Sequence, residues 1–352
     1  TPVLMADGFP GGHPCHWMYE MFNQHLLLQR LLKAGHTVVL LTYSNGTLPL
    51  ESNAQVVIAL LRQLRESTLD PILAGGVSMG GLVVRYALAW MEYRQIPHHC
   101  SIYYSIDTPH AGATTTPAIQ WLVAFFAPLV PGMEMLNRLI QSTANRQFMK
   151  DHVVGDRLEE DPVRHAFMRR LANLGYPRLP RRLAVACGRG GGGSGMAAGT
   201  PLIRWSGTPL ASLNVDVAGA DAQVWATNQG RHGRYLDAHR SGWEGMAGGR
   251  HPYPAMAGRM LRALALGGDD LEVLVPAVCG VPTTSALDVQ QDAALPIPPA
   301  SDQVSPFDDY IFSEEDQLHL MLTAPVAEWL FAQLTSSLPT PLPPRSQPIT
   351  AT

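Results

Sequence analysis

An α/β fold with a mostly parallel sheet, helices on both faces and an inserted cap is what this sequence predicts, on three observations. Strand-like and helix-like stretches alternate strictly from Pro2 to Ile106. Several of the strand-like stretches are continuous β-branched or apolar runs, which marks strands covered on both faces. The alternation stops near Ala111 and strand character returns only at Arg182 to Ala186, so residues 111–180 read as a cap inserted between two strands of one sheet.

Each element has its own signal. Pro2 to Ala6 is a short apolar strand closed by Asp7-Gly8 and a Gly/Pro/His loop, and Trp17 to Lys33 has helical spacing up to the stop at Ala34-Gly35. Thr37 to Tyr43 reads as a strand buried on both faces, followed by the turn Ser44-Asn45-Gly46. A helix is expected from about Glu51 to Glu66, a strand from Pro71 to Val77, a helix from Gly80 to about Tyr93 and a strand from Ser101 to Ile106. Within the cap, Ile119 to Phe126, Met133 to Ile140 and the charged stretch Asp156 to Leu171 are helical in pattern.

Beyond the cap, the glycine run Gly188 to Gly195 lacks the Lys-Ser/Thr ending of a phosphate-binding loop and reads as a flexible connection. Leu202 to Trp205, Leu213 to Ala218 and Gln223 to Ala226 are strand-like, and Gly230 to Pro254, rich in Gly, His and Arg, has no predicted arrangement. A last helix spans about Pro325 to Leu334. Residues 1–337 are therefore expected to form one domain with the cap inside it, and the Pro-rich residues 338–352 a disordered tail.

Composition narrows the function classes. With 352 residues, 46% hydrophobic and 15% charged, the chain can bury one large core, or a core and a cap. A formal charge of −4 supplies no basic stripe for a phosphate backbone, so no nucleic-acid partner is expected. A membrane span needs about 20 apolar residues in a row; the most apolar stretch, Trp121 to Val130, is half that and contains Pro128, so no transmembrane segment is expected. Cys15, Cys100, Cys187 and Cys279 are too scattered for a disulfide framework and name no compartment. The opening Thr-Pro-Val-Leu, without initiator Met or signal-peptide regions, has the character of a processed or trimmed end. His13-Pro14-Cys15-His16 carries metal-ligand types but lacks the second half of a tetrahedral site nearby, so no metal is expected.

The chemistry is concentrated in Gly76-Val77-Ser78-Met79-Gly80-Gly81. G-x-S-x-G is permissive alone, but between a strand and a helix it reads as a nucleophile elbow. The small residues permit the strained turn, and Ser78 Oγ is expected above the C-terminal edge of the strand; the bland alternative is a Gly-rich turn with an inert serine. A serine hydroxyl needs a base oriented by an acid, in the chain order Ser, Asp or Glu, His. Of thirteen histidines, His319 lies just before the last helix and is the expected base, while His232, His239 and His251 come earlier. The acid's usual place, the loop after the strand that follows the cap, holds no carboxylate between Gly188 and Thr200. Asp107, ending the strand after the nucleophile helix, is the first candidate; Asp288 is the competitor, with Asp308 and Asp309 behind them. For the oxyanion hole, the backbone N–H groups expected are those of Met79 and of Phe9, after Asp7-Gly8.

Taken together, several segments resemble bacterial serine lipases and esterases of the α/β-hydrolase superfamily, in particular hydrolases related to GPI inositol deacylases. The segments are Ala6-Asp7-Gly8-Phe9-Pro10, Tyr43-Ser44-Asn45-Gly46, Gly76 to Leu82 running into Arg85-Tyr86-Ala87-Leu88, and Asp107-Thr108-Pro109-His110-Ala111-Gly112-Ala113, with weaker likeness at Pro282 to Asp288 and Pro306-Phe307-Asp308. The resemblance implies Ser78 as nucleophile and His319 as base. The Thr-Pro-His-Ala-Gly stretch is similar to the Gly-Thr-Pro-His-x-Gly segment of many lipases, with Asp107 replacing the glycine, which favours Asp107 as acid. By the same comparison the chain lacks the first two strands of the complete fold, as a minimal or trimmed domain would.

The function so implied is carboxylic-ester hydrolysis through an acyl-enzyme on Ser78, without metal or organic cofactor, on a small-molecule or lipid ester. Lipase, short-chain esterase and polyester hydrolase are all compatible. An acyltransferase using the same triad and a binding protein on a hydrolase scaffold are the alternatives. Trp121, Leu122, Val123, Phe125 and Phe126 of the cap suggest an acyl-chain site, with transient contact to a lipid interface, or else ordinary core.

Overall fold

The computed structural model describes residues 1–154, 157–192, 201–208, 211–218, 221–228, 231–235, 245–263, 271–290, 296–302 and 304–336. The tail expected at 338–352, residues 193–195 of the glycine run and His239 lie outside them. In chain order, β1 (Pro2–Ala6) leads through α1 (Cys15–Phe22) and α2 (Leu27–Lys33) to β2 (Thr37–Leu41), then α3 (Leu50–Ser67), β3 (Ile72–Val77), α4 (Met79–Tyr93) and β4 (Cys100–Ile106). Next come α5 (Pro117–Phe126), α6 (Pro131–Ile140), α7 (Thr143–Phe148), β5 (His152–Val154), β6 (Arg157–Glu159) and α8 (Pro162–Leu174). β7 (Arg181–Ala186) precedes β8 (Pro201–Thr208), β9 (Ala211–Ala218), β10 (Asp221–Asn228), β11 (Arg231–Tyr235) and β12 (Gly248–His251). The chain continues through α9 (Tyr253–Arg262), β13 (Leu271–Val273), β14 (Val278–Pro282), α10 (Thr283–Ala286), β15 (Asp309–Phe312) and α11 (Ala324–Thr335).

The central sheet has the order β2-β1-β3-β4-β7-β15, and all its pairings are parallel. Parallel neighbours need crossover connections, and the intervening helices supply them on both faces. Side chains alternate across a strand, so each strand feeds two cores. Leu4, Ala6, Ala74, Tyr103 and Ala184 pack with Leu50, Val57 and Leu61 of α3 and Leu82 and Leu88 of α4. Val3, Met5, Leu73, Ile102, Tyr104 and Val185 pack with Leu28 and Leu31 of α2 and Leu330 of α11. Burying each such leucine contributes roughly 1.5–3 kcal/mol. The parallel order, with a serine turn between β3 and the helix that follows it, is the arrangement of the α/β-hydrolase fold.

Three expectations about elements change. The apolar run at Thr37 does not lie inside the sheet: β2 is its edge, with Thr37 exposed and the rest only half-buried, because composition does not report how many neighbours a strand has. The helix expected over Trp17 to Lys33 is broken at Asn23, where His25 and Leu26 take φ of 51° and 60°; the Gln24 amide fixes the break by donating to the carbonyls of Met21 and Leu320. Of the charged stretch from Asp156, Asp156 itself lies outside the described residues, Arg157–Glu159 form β6 paired antiparallel with β5, and α8 starts only at Pro162, where Asp161 caps it by accepting from Val163 N–H.

The strand-like pieces after β7 belong to an antiparallel sheet of order β11-β10-β9-β8-β13. The stretch Gly230 to Pro254 supplies β11 and β12, and β12 pairs with β14. Leu122, Val123 and Phe126 of α5 join Met133 and Leu136 of α6, Leu261 of α9 and Leu202 of β8 in a separate core. Among the described residues, no helix is long and apolar enough to cross a membrane.

Candidate active site

Strand β3 ends at Val77 and α4 begins at Met79, so Ser78 alone makes the turn, with φ 52° and ψ −128°. A non-glycine residue in such a region costs on the order of 1–3 kcal/mol and is held there only by its surroundings. The Ser78 N–H donates to Ile106 O at 2.8 Å, which ties the elbow to the end of β4. A Cβ on Gly80 would fall 2.4 Å from Asp7 O, so the helix can start against the end of β1 only because position 80 has no side chain.

Asp107 and His319, 212 residues apart, meet beside this turn. His319 Nδ1 lies 2.7 Å from Asp107 Oδ2, and an ionised carboxylate only accepts, so Nδ1 carries the hydrogen. The other oxygen accepts from Cys187 N–H at 3.0 Å, and Asp107 is fully buried. Asp107 follows β4 with φ 46°, and its own N–H donates to Val185 O on β7. The carboxylate therefore reaches across the end of β7, beside the glycine loop that has no carboxylate of its own. Among the described residues His319 Nε2 is buried and has no hydrogen-bond partner. Ser78 and His319 line one cleft without hydrogen-bonding each other; such contacts commonly tighten only when substrate arrives.

The other carboxylates are engaged elsewhere. Asp288 accepts from Tyr176 Oη at 2.7 Å and sits 3.7 Å from Arg85 Nη1, whose guanidinium lies over the Tyr176 ring. His110 joins this buried cluster through Ser105 Oγ and Arg85, and burial first, then the Arg85 charge, pushes its pKa well below the usual histidine range. Asp308 pairs with Arg182 and Asp309 with Arg181.

On the opposite side of Ser78 the loop after β1 is wound around Asp7. This fully buried carboxylate accepts from Gly8 N–H, Thr42 Oγ1 and His13 Nδ1, the last at 2.8 and 2.9 Å from its two oxygens. His13, from the cluster with metal-ligand types, is thus turned to Asp7 and stacked on Trp17 with ring centroids 4.2 Å apart. Phe9 and Ser78 line the same cleft, Gly8 lies against Ser78 Cβ, and Met79 opens α4, where the first N–H groups of a helix have no intrahelical acceptor.

Phe148, Met149, Ala113, Val281 and Phe9 form the apolar wall of the cleft. None of the five apolar α5 residues expected as an acyl site lines it; Leu122, Val123 and Phe126 are core, with Trp121 and Phe125 packed on that core. Apolarity in α5 serves its own packing, and the cap's share of the wall comes instead from Ala113 and from Phe148 and Met149 at the end of α7. Besides the wall residues, the cleft residues not predicted include His251, its ring tilted 38° against that of His319 with centroids 4.3 Å apart, and Tyr253, stacked on His251 at 4.8 Å. The only sequence signal for them is a histidine in an unassigned Gly-rich stretch.

No protein-family profile matches the chain, and no curated protein sequence matches it. Among solved structures, the chain is similar to a mature lipase of Bacillus licheniformis at 16% identity and TM-score 0.36, over 54% of this chain and 67% of that one. It is also similar to a monoacylglycerol lipase of Paleococcus ferrophilus, at 16% identity and TM-score 0.30 over 52% of this chain and 72% of that one. A third is Est1E of Butyrivibrio proteoclasticus with bound ferulic acid, at 15% identity and TM-score 0.30, over 52% and 67% of the two chains.

Proposed function

We propose that this protein is a serine hydrolase of carboxylic esters, with Ser78 as nucleophile, His319 as base and Asp107 as the acid that orients it. The observation that carries the reading is the His319 Nδ1 to Asp107 Oδ2 bond of 2.7 Å, which fixes the ring so that its unpartnered Nε2 is the atom left for Ser78. In this mechanism Ser78 Oγ attacks the acyl carbonyl while Nε2 takes its proton. The N–H groups of Phe9 and Met79 hold the oxyanion, where removing one such donor typically costs about 100- to 1,000-fold in kcat. The imidazolium then gives its proton to the departing alcohol, and water, activated by the same Nε2, cleaves the acyl-enzyme. Phe148, Met149 and Val281 suit an apolar acyl group. Residues 111–180 act as a cap by supplying Ala113, Phe148 and Met149 of that wall, and residues 1–337 work as one catalytic domain. The narrower likeness to GPI inositol deacylases rests on the sequence segments alone.

Hydrolysis of p-nitrophenyl esters over a series of acyl lengths tests the reading, with Ser78→Ala as control. Loss of turnover in Ser78→Ala, with labelling of the wild type by a fluorophosphonate, supports it. Undiminished turnover in Ser78→Ala rejects it.

A further inference from the structure

We propose that His251 is a positioning residue for the base, holding the His319 ring by packing its own tilted ring against it. The inference rests on the triad assigned above. Its starting point is β12, which touches that triad at three successive residues. A Cβ on Gly249 would fall 1.8 Å from Asp107 Oδ2, so the strand passes directly against the carboxylate. Arg250 brackets the base through its main chain: its N–H donates to Gln317 O at 2.9 Å and its carbonyl accepts from His319 N–H at 2.8 Å. His251 then lays its ring against that of His319, with centroids 4.3 Å apart and planes 38° to each other, and is itself stacked on Tyr253 at 4.8 Å and 10°. The seat is shaped for that ring, since a Cβ at Gly280 would meet His251 Cδ2 at 1.9 Å.

What this does follows from the freedom left to His319. The bond to Asp107 fixes one edge of the imidazole but leaves the ring free to hinge about it, swinging Nε2 toward or away from Ser78. A rigid ring packed against it at 4.3 Å limits that motion. Orientation at the reacting atom matters steeply, a displacement of about 1 Å costing up to about 100-fold. Burial, and then the nearby His319, push the His251 pKa well below the usual histidine range, which favours a neutral ring beside the base.

The test compares His251→Ala, His251→Leu and His251→Phe with wild type on one p-nitrophenyl ester, reading kcat and KM separately, with fold and melting temperature checked alongside. Leu fills the space without a flat ring, whereas Phe restores the ring without its nitrogens. Removing the ring is expected to lower kcat about 10-fold or more in Ala and Leu while KM stays within about twofold, and Phe is expected to return kcat to within about threefold of wild type. A folded His251→Leu with wild-type kcat overturns the inference, as does a loss carried by KM alone or a Phe variant no better than Leu. Should Ala fail to fold, the Leu and Phe pair still decides. Ser78→Ala and His319→Ala run in parallel: turnover surviving in either removes the triad itself, whereas their inactivity beside an unimpaired His251→Leu rejects only the role of His251.

Discussion

Replacing Asp107 by Asn tests the proposed acid apart from the other properties of the site. The carboxylate accepts from two buried donors, Cys187 N–H on Oδ1 and His319 Nδ1–H on Oδ2. A carboxamide of the same shape has a single acceptor oxygen, so in either orientation one of the two donors faces an NH2 group. If the oxygen stays with Cys187, the NH2 lies against His319 Nδ1, and the ring must shift its hydrogen to Nε2, where it can no longer take a proton from Ser78. If the amide flips, a buried donor clash of about 1–3 kcal/mol remains at Cys187. Losing the correct tautomer at a serine triad costs about 10,000-fold in kcat, equivalent to about 5.4 kcal/mol at 1.36 kcal/mol per tenfold. The assay is p-nitrophenyl ester turnover by the purified variant, with Asp288→Asn as the comparison. Asp288 belongs to the Tyr176–Arg85 cluster, so its replacement is expected to cost stability, about 1–3 kcal/mol, and to leave kcat within a few-fold of wild type. An Asp107→Asn enzyme that keeps a tenth of wild-type kcat, or an Asp288→Asn enzyme crippled to the same depth, refutes the assignment.

Three further outcomes follow from the same geometry. Gly249→Ala places a methyl group 1.8 Å from Asp107 Oδ2 and is expected to reduce kcat at least about 10-fold by shifting the carboxylate; steady-state kinetics at wild-type activity would contradict the contact. Asp7→Ala removes the acceptor for Gly8 N–H, His13 Nδ1 and Thr42 Oγ1, so the loop bearing Phe9 loosens; kcat is expected to fall about 10- to 100-fold, and kinetics showing a KM effect alone would count against an oxyanion role. His110 is buried, and burial, then the Arg85 charge, hold its pKa well below the ordinary histidine value of about 6.5. Below about that pH the unfolded chain binds a proton that the folded chain does not. Stability is therefore present above the unfolded value and falls on acidification, by up to about 1.4 kcal/mol per pH unit for one such group. His251 and His152 act in the same direction. Melting temperatures between pH 7 and 5 should fall less steeply in His110→Gln than in wild type, and parallel curves would reject His110 as a contributor.

What was legible in the sequence is what depends on neighbours along the chain. The elbow is six consecutive residues whose strand and helix flanks are contiguous with them, and β3, α4 and β4 lie within a residue or two of their expected bounds. The pairing of Asp107 with His319 is long-range, yet chain order and the position of each at a strand or loop end were enough to suggest it. The kink at Asn23 was not legible, because it depends on Gln24 reaching Leu320, 296 residues away. Nor was the place of β2, since the apolarity of an edge strand matches that of a central one. The stretch around His251 stayed silent for a similar reason: its role is set by antiparallel pairing with β14 and by main-chain bonds to Gln317 and His319, and neither leaves a period in the residues themselves.

The position of Asp107 also bears on where that silent stretch packs. β4 and β7 are neighbours in register, Ile106 opposite Val185, so a side chain thrown sideways at residue 107 reaches the space beyond the end of β7. The φ of 46° at Asp107 throws it that way, and Cys187 N–H catches it. Between Gly188 and Thr200 there is no carboxylate, and Gly188 serves packing instead: a Cβ on it would fall 2.2 Å from Gly248 Cα. That close approach of two glycine backbones brings β12 against Asp107 and His251 against His319. An acid supplied from the β7 loop would need bulk where β12 now passes. Gly188, at the head of the glycine run, is in the folded chain the clearance that lets β12 pass against the carboxylate held at the end of β4.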